Sequence, residues 1–488
     1  MIKPEERFMS QGQGYFGLSE NPKTETHCNV WDWDQLRMIK VKGTAKLFPP
    51  EEDVEVSTLA RFADHLSPEV RAVTVDDEGL ISEVSTDPSE DDTTFVGYLP
   101  LSTTKSLHGC RTIQYSKLQE LDRLGPGVDL SSYYDESGIP HRVVFKFNPF
   151  EKPRMLQMAW NELHLLQNLP PHPNIMPLDR VVIEDVESRV IGFTTKYVPG
   201  GTLDKSKVPF RFEWMQQLIQ LVDFLNLDLG IMHQDIAPRN LLIDPETHHV
   251  LLFDFNWAAH GKRNLLTGRD DVAGVVFTLY ELITGDVHFT SIPHWDRSMD
   301  TVQNKAEWTC NRELDSCVST FRTFLNEWVK TRRSGDDMER YLNAPNQIIC
   351  PDLPTPPDYS VPFELGTTSS GETTWATGPR TRRIATEKGQ YIFRWERPPQ
   401  SRLRKSENGD STIVLLFGEL IDEVELHKTL VKEKRGKACM INCRLAREGQ
   451  DLLELTSNFG ILKEESKAIN GILDSTNSLL EKTKAALA

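Results

Sequence analysis

The chain is poor in the features that most quickly assign a protein to a class. No stretch approaches the roughly 18–20 consecutive apolar residues that a membrane-spanning helix needs. Positive charge is in deficit, with 55 Lys and Arg against 72 Asp and Glu and a net charge of −17. A nucleic-acid binder held mainly by phosphate contacts is therefore not expected. The seven cysteines, an odd number spread from Cys28 to Cys443, show neither a disulfide framework nor the paired CxxC spacing of a zinc site, and suit a reducing compartment. The first residues, MIKPEERFMSQGQG, lack the apolar core of a secretory signal, and no internal repeat of about 20–50 residues is evident. What is present is an ordinary composition, 38% hydrophobic and 26% charged over 488 residues. That is enough for a packed core and for about two to four domains. The expectation is a soluble protein of the cytoplasm or nucleus with no membrane or nucleic-acid partner.

Texture changes along the chain. Residues 1–109 read as an acidic N-terminal extension, with a strand-like run at 36–41 (LRMIKV) and turn-rich acidic stretches at 76–79 and 90–92. A small β subdomain and a partly disordered region both fit. Residues 110–198 alternate in the manner of strands at TIQYSKLQEL, DLSSYY, RVVFKF, DRVVIE and VIGFTTKYV, with a helical pattern at 155–169. Residues 199–342 contain an amphipathic helix in which Trp214, Leu218, Leu221, Leu225 and Leu229 recur every three or four residues, then an apolar helix over 272–283. Strands first and helices second predict an α+β fold with two unequal lobes. Residues 343–412 form a Pro-, Thr- and Arg-rich tail expected to be extended and loop-like. Over 413–488, Leu462, Ile469, Leu473, Thr476, Leu480 and Leu487 fall near heptad spacing. This predicts a C-terminal helix that packs on its own domain or offers a surface to a partner.

The residues that carry chemistry lie in one run, IMHQDIAPRNLLIDPETHHVLLFDFN at 231–256. Phosphoryl transfer needs one carboxylate to orient the attacking hydroxyl, and an amide oxygen and a second carboxylate to hold Mg²⁺ on a triphosphate. Asp235, Asn240 and Asp254 fit these roles. Here the chain resembles the protein kinases, whose signature includes HRDLxxxN and DFG. The resemblance implies a bilobal fold, β-rich in its N-lobe and helical in its C-lobe, with ATP and Mg²⁺ as cofactors. It also implies further site residues. Lys146, in Val143-Val144-Phe145-Lys146, takes the place of the strand lysine that pairs with the α/β-phosphates, and Glu162 that of its ion-pair partner. Gly125 and Gly127 stand where a glycine-rich loop would cover the phosphates, although a plain hairpin turn fits them equally well. Lys196 and Val198, in TKYVPGG, match the hinge that receives adenine through backbone groups. Asp271 matches the aspartate that braces the catalytic loop. The wording HQDIAPRN and LLFDFN, with GQYIFRWERPPQSR in the tail, is similar to a family of fungal protein-kinase-like proteins and extends the resemblance to residue 402.

Departures from the kinase pattern bear on function. Gln234 replaces the Arg between His and Asp, so an activation-loop phosphate would find no partner there. Ala237 replaces a lysine common two residues after the catalytic Asp, and Arg239 is placed to supply the missing charge to the γ-phosphate. Asn256 stands in place of the glycine after Asp-Phe, and Asn tolerates the positive φ that glycine permits. Leu130 replaces a third loop glycine, and Pro126 brings no N–H. No Ala-Pro-Glu motif precedes Asp271, so the usual peptide-docking segment is reduced. His233 reads as a brace of the loop, and Trp31 and Trp33 as packing. The expectation is a kinase-like phosphotransferase that uses ATP and a hydroxyl acceptor on a protein. The alternatives are a catalytically impaired scaffold of the same fold and a small-molecule kinase of the aminoglycoside or choline type.

Overall fold

The computed structural model describes residues 2–13, 25–44, 54–62, 66–149, 152–333, 335–348, 350–351, 361–367, 373–378, 381–387, 389–405 and 412–414. The chain divides into two units, Met1–Trp395 and Glu396–Ala488. In the first, α1 (Pro4–Arg7) leads into β1 (Phe8–Gln13), which pairs with β2 (Glu25–Asp32); β3 (Arg37–Thr44), β4 (Ala72–Val75) and β5 (Ile81–Ser85) complete a five-stranded sheet in sequence order. Its pairs are antiparallel except β3–β4. A parallel pair needs a crossover, and α2 (Val54–Phe62) lies within it, adding Leu59 to a core with Val30, Ile39, Val41 and Val73.

A second sheet comprises β6 (Thr112–Gln114), β7 (Gln119–Gly125), β8 (Val128–Tyr134), β9 (Pro140–Phe147), β10 (Leu178–Ile183) and β11 (Val190–Lys196), in the order β6-β10-β11-β9-β8-β7. Alternation along β9 buries Val143, Phe145 and Phe147 on one face and leaves Val144 and Lys146 for the other. Between β9 and β10 runs α3 (Pro153–Asn168), which tolerates Pro153 because its first turn has no intrahelical acceptor to lose.

The face of Phe145 and Phe147 is covered from both ends of the unit. Trp31 and Trp33 come from the N-terminal sheet and its β2–β3 turn, and Phe393 and Trp395 from the tail. Trp395 stacks on Phe147 with ring centroids 4.6 Å apart and donates from Nε1 to Tyr98 Oη at 2.9 Å. Arg123 of β7, fully buried, donates to the Asp34 carbonyl at 2.8 Å and to its carboxylate, which Arg7 also meets at 3.2 Å.

In the helical lobe, α4 (Phe212–Asp223) and α5 (Asp271–Thr284) share a core that includes Trp214, Leu218, Val275 and Leu279. The amphipathic pattern predicts one helix as far as Leu229, but the backbone widens into a π turn over Phe224–Asp228. That turn carries Asn226 inward, where Nδ2 donates to the Ile231 carbonyl and to Asp271 Oδ2, both at 2.8 Å. The Asp270 side chain caps α5 by accepting from the Val272 N–H at 2.9 Å, and Gly285 ends it at φ +71°. Short strands β12 (Ile231–Met232), β13 (Leu241–Ile243), β14 (Val250–Leu252) and β15 (Ala259–His260) pair as β12–β15 and β13–β14. Helices α6 (Asp300–Gln303), α7 (Val318–Arg333) and α8 (Asp337–Leu342) follow.

The tail is more structured than its composition predicts. Its described residues include β16 (Val361–Thr367) paired with β17 (Thr373–Gly378), and α9 (Arg382–Glu387), whose buried Arg382 meets Asp91 at 2.6 Å. In the second unit, a 3-10 turn at Gln400–Arg402 and the strands Leu403–Lys405 and Thr412–Val414 are described. The helix expected within 413–488 lies outside the described residues. Among the described residues no helix is long and apolar enough to cross a membrane. The fold is thus mixed α+β, with its sheets first and its helical lobe after, consistent with a protein kinase fold.

Candidate active site

β9 and α3 bring Lys146 and Glu162 together, with Nζ at 2.6 and 2.9 Å from the two carboxylate oxygens. Lys146 also holds Asp254, and the Phe255 N–H donates to Glu162 Oε1 at 3.1 Å. Burial opposes the charge on Lys146, but Asp254 and Glu162 outweigh it and hold the ammonium above the usual lysine range. Burial pushes the Glu162 carboxyl up to about 7 although Lys146 pulls the other way. Burial also works against Asp254, yet Lys146 keeps it below the usual carboxylate range. One cation shared by two carboxylates leaves an excess negative charge, and Glu162, only 2% exposed, bears its cost.

Asp254 follows β14 with left-handed backbone angles, φ +67° and ψ +64°. The missing glycine of the sequence motif suggests Asn256 as the residue needing positive φ. The structure gives that conformation to Asp254 instead and puts Asn256 inside a 3-10 turn, Phe255–Trp257, so Asn there is unstrained. Its Oδ1 is buried with no hydrogen-bond partner among the described residues, beside a cavity of about 200 Å³ that Lys146, Glu162, Met155 and Trp160 also line.

The other carboxylate sits in the loop between β12 and β13. Asn240 Nδ2 donates to the Asp235 carbonyl at 2.8 Å and to Asp235 Oδ2 at 2.9 Å, while Arg239 Nη2 reaches Oδ1 at 2.6 Å. Arg269 stands 3.5 Å from the same oxygen. The loop is fixed from below by Asp271, which accepts from the His233 and Gln234 N–H groups at 2.8 and 2.7 Å. His233, fully buried, shares a hydrogen bond between Nε2 and the Phe253 carbonyl at 3.0 Å, tying this loop to the strand end that carries Asp254.

Gln234 does something its sequence position did not reveal. Its Nε2 donates to the carbonyls of Trp257 (2.6 Å) and Asn264 (2.9 Å), and its Oε1 accepts from the Leu266 N–H (2.7 Å). A neutral amide thus holds the segment after Asp254 at three points. The signal available was only a negative one, the absent arginine.

Gly125 closes β7, and Pro126 and Gly127 form the two-residue turn into β8, not a long flap. Gly127 has φ +69°, and a Cβ there would lie 2.4 Å from the Phe147 carbonyl, so the glycine serves close packing of the hairpin on β9. Lys196 ends β11 with its ammonium directed to Glu246 at 3.2 Å and Asp244 at 3.8 Å. Val198 is buried with Met176 and Leu251, against Leu242 and Phe253. Among the described residues no cluster of three or more His, Cys, Asp or Glu could hold a metal. A magnesium site here would draw on Asp254 and Asn240 and on phosphate oxygens. That donor set fits the ion, which keeps few protein ligands and prefers oxygen.

Residues 141–280 match the protein kinase domain. The match begins beyond the β7–β8 hairpin and spans Lys146, Glu162, Asp235, Asn240, Asp254 and Asp271. Among curated proteins, the chain is 33% identical over 216 residues to CBL-interacting serine/threonine-protein kinase 16 of Arabidopsis thaliana, covering 42% of this chain and 43% of that protein. It is 28% identical over 169 residues to CBL-interacting serine/threonine-protein kinase 5 of the same plant, covering 32% and 37%. It is 32% identical over 111 residues to casein kinase II subunit alpha' of Saccharomyces cerevisiae, covering 22% and 32%. The kinase domain matches therefore reach less than half the length of these relatives.

Proposed function

We propose that the protein is a phosphotransferase that uses Mg·ATP to phosphorylate a hydroxyl on a protein. The observation that carries this reading is the joining of Lys146 and Asp254 around the buried Glu162, linked through His233 and the Phe253 carbonyl to a loop presenting Asp235 beside Asn240. In this reading Lys146 orients the α/β-phosphates and Glu162 positions it. Lys196 and Val198 border the adenine through the hinge backbone, and Gly125 and Gly127 shape the roof. Asp254 and Asn240 hold Mg²⁺, which when bound offsets charge on the phosphates. Asp235 orients the acceptor hydroxyl and takes its proton as the oxygen bonds to the γ-phosphorus, and the bond to the β–γ bridging oxygen breaks with release of ADP. Arg239, beside Asp235, meets charge on the γ-phosphoryl group. The work is positioning and charge stabilisation. The wording of the loop and tail further supports a place among fungal kinase-like proteins.

The test is transfer of label from γ-labelled Mg·ATP to general protein acceptors, with Asp235→Asn and Asp254→Asn beside the parent chain. Label incorporated by the parent and lost in both variants supports the reading. Equal background in all three removes it, and a thermal shift with Mg·ATP but no transfer would leave a nucleotide-binding scaffold. Label appearing only on amino sugars or choline would place the acceptor among small molecules.

A further inference from the structure

Asp235 opens onto a pocket of about 330 Å³ whose wall includes Arg239, Arg269, Arg297, His294 and Glu281. In a chain with a net charge of −17, three arginines around one small opening run against the average field. Arg269 lies over the Trp257 ring at 4.2 Å, donates to the Gln234 carbonyl at 3.1 Å and shares a hydrogen bond with His294 Nε2 at 2.8 Å. Arg297 is fixed differently: Nε donates to the Ile292 carbonyl at 2.6 Å and Nη2 to that of Thr290 at 2.8 Å. Its guanidinium is held rigid by neutral acceptors, and among the described residues no carboxylate comes within ion-pair distance of it.

The carboxylates on the wall do not cancel this charge. Asp235 is already engaged by Arg239 and Arg269. Asp270 caps α5 through the Val272 N–H, and burial raises its carboxyl. Burial pushes Glu281 up to about 7, so near neutral pH it carries only part of a charge. Burial and neighbouring arginines lower Arg269, Arg297 and His294 although the Asp235 charge acts the other way on each, the behaviour of several cations crowded around one anion. A rigid guanidinium with an open fork is suited to a carboxylate or phosphate, which it can meet with charge-assisted hydrogen bonds.

We propose that this pocket receives an acidic or phosphorylated side chain adjacent to the acceptor Ser or Thr, so that the substrate is an acidic peptide segment. The inference rests on the phosphotransfer reading for the role of Asp235, but the pocket's preference can be measured without ATP. Fluorescent nonapeptides with a central Ser, flanked by Glu, phosphoserine, Ala or Lys, are titrated into the full chain by anisotropy, and label transfer to each is measured in parallel. The Glu and phosphoserine peptides should bind at least about tenfold tighter than the Ala peptide, the Lys peptide should bind weakest, and added salt should narrow the spread. In Arg297→Gln the preference should collapse. Arg297→Lys disturbs the same backbone bonds but keeps the charge, and should retain the preference. Equal binding of Ala and Glu peptides by the parent overturns the proposal, as does loss of the preference in Lys and Gln variants alike, which would mean the loop and not the charge is responsible. Acid-selective binding without label transfer would remove the phosphotransfer reading and leave the pocket standing. Transfer without acid selectivity would do the reverse.

Discussion

Lys146 and Arg239 each hold a carboxylate at hydrogen-bonding distance, but the lysine side chain is 25% exposed and the arginine 55%. Around Lys146, two carboxylates compete for one cation, and burial, with Asp254 adding to it, raises Glu162 to about 7. Around Asp235, two arginines share one carboxylate at the edge of an open pocket. The excess charge is negative on the side proposed for magnesium and nucleotide, and positive on the side proposed for the acceptor. A cation completes the first cluster and an anion the second. Similar distances therefore conceal different energetics, because removing Lys146 strands the buried Glu162 charge, while Asp235 without Arg239 keeps Arg269 and Asn240.

The largest effect should come from breaking the buried side. Lys146→Ala leaves Glu162 and Asp254 facing one another without their cation, and should destabilise the domain by about 3–5 kcal/mol. Label transfer should fall by about 10²–10³-fold or more. Thermal unfolding and transfer assays on the same preparation check both, and a variant with the parent's melting temperature would show that the cluster is not held by this ion pair.

A second test sharpens the same side by pH. At low pH both folded and unfolded chains carry the Glu162 proton. Between the ordinary carboxyl value near 4.5 and about 7, the folded chain keeps a proton that the unfolded chain has released. Stability from this group therefore falls as pH rises through that window and levels off above it, by up to about 3 kcal/mol. Glu162→Gln cannot titrate, so its melting temperature should vary less from pH 5 to pH 8 than that of the parent. Parallel curves would sink the assignment of the raised carboxyl to Glu162.

Much of this site is legible in the sequence for a physical reason: the chemistry fixes residue types at short spacings, as in Asp235 with Asn240, and strand alternation assigns Lys146 to the face opposite Phe145. The α+β order of elements is readable in the same way from apolar periodicity. What escapes is everything that depends on contact between distant parts of the chain. Nothing near Trp395 predicts that it stacks on Phe147, and Arg123 gives no sign that it will be buried against Asp34, because neither pairing has a local period. The motif marks Asn256 as the unusual residue, yet the positive φ belongs to Asp254, since a motif records which residue is unusual and not how the turn is wound. Arg297 lies far along the chain from Asp235, and only the fold brings the two to one pocket.

Between the two sides lies the segment held by Gln234, and loosening it tests whether their separation depends on it. Gln234→Ala removes three hydrogen bonds and leaves the Trp257 and Asn264 carbonyls and the Leu266 N–H without that partner. A cost of about 1–3 kcal/mol follows if they stay buried. Hydrogen exchange should quicken over 257–266 and stay unchanged in β9 and α3. Exchange that rises equally in all of them would mean the amide supports the whole domain.

The smallest effect on stability should come from the exposed side. Arg239→Ala removes a 2.6 Å ion pair from Asp235, but Asp235 keeps Asn240 and Arg269, and water replaces the lost guanidinium. The melting temperature should move by less than the equivalent of about 1 kcal/mol. Transfer to an acceptor should nonetheless drop, because the arginine is proposed to meet charge that develops only as the phosphoryl group moves. The contrast with Lys146→Ala is the informative quantity. Large losses of stability in both variants would mean the two sides differ less than their exposure indicates, whereas activity lost without stability at Arg239 would mark that cation as one that acts on the transferring phosphate and not on the fold.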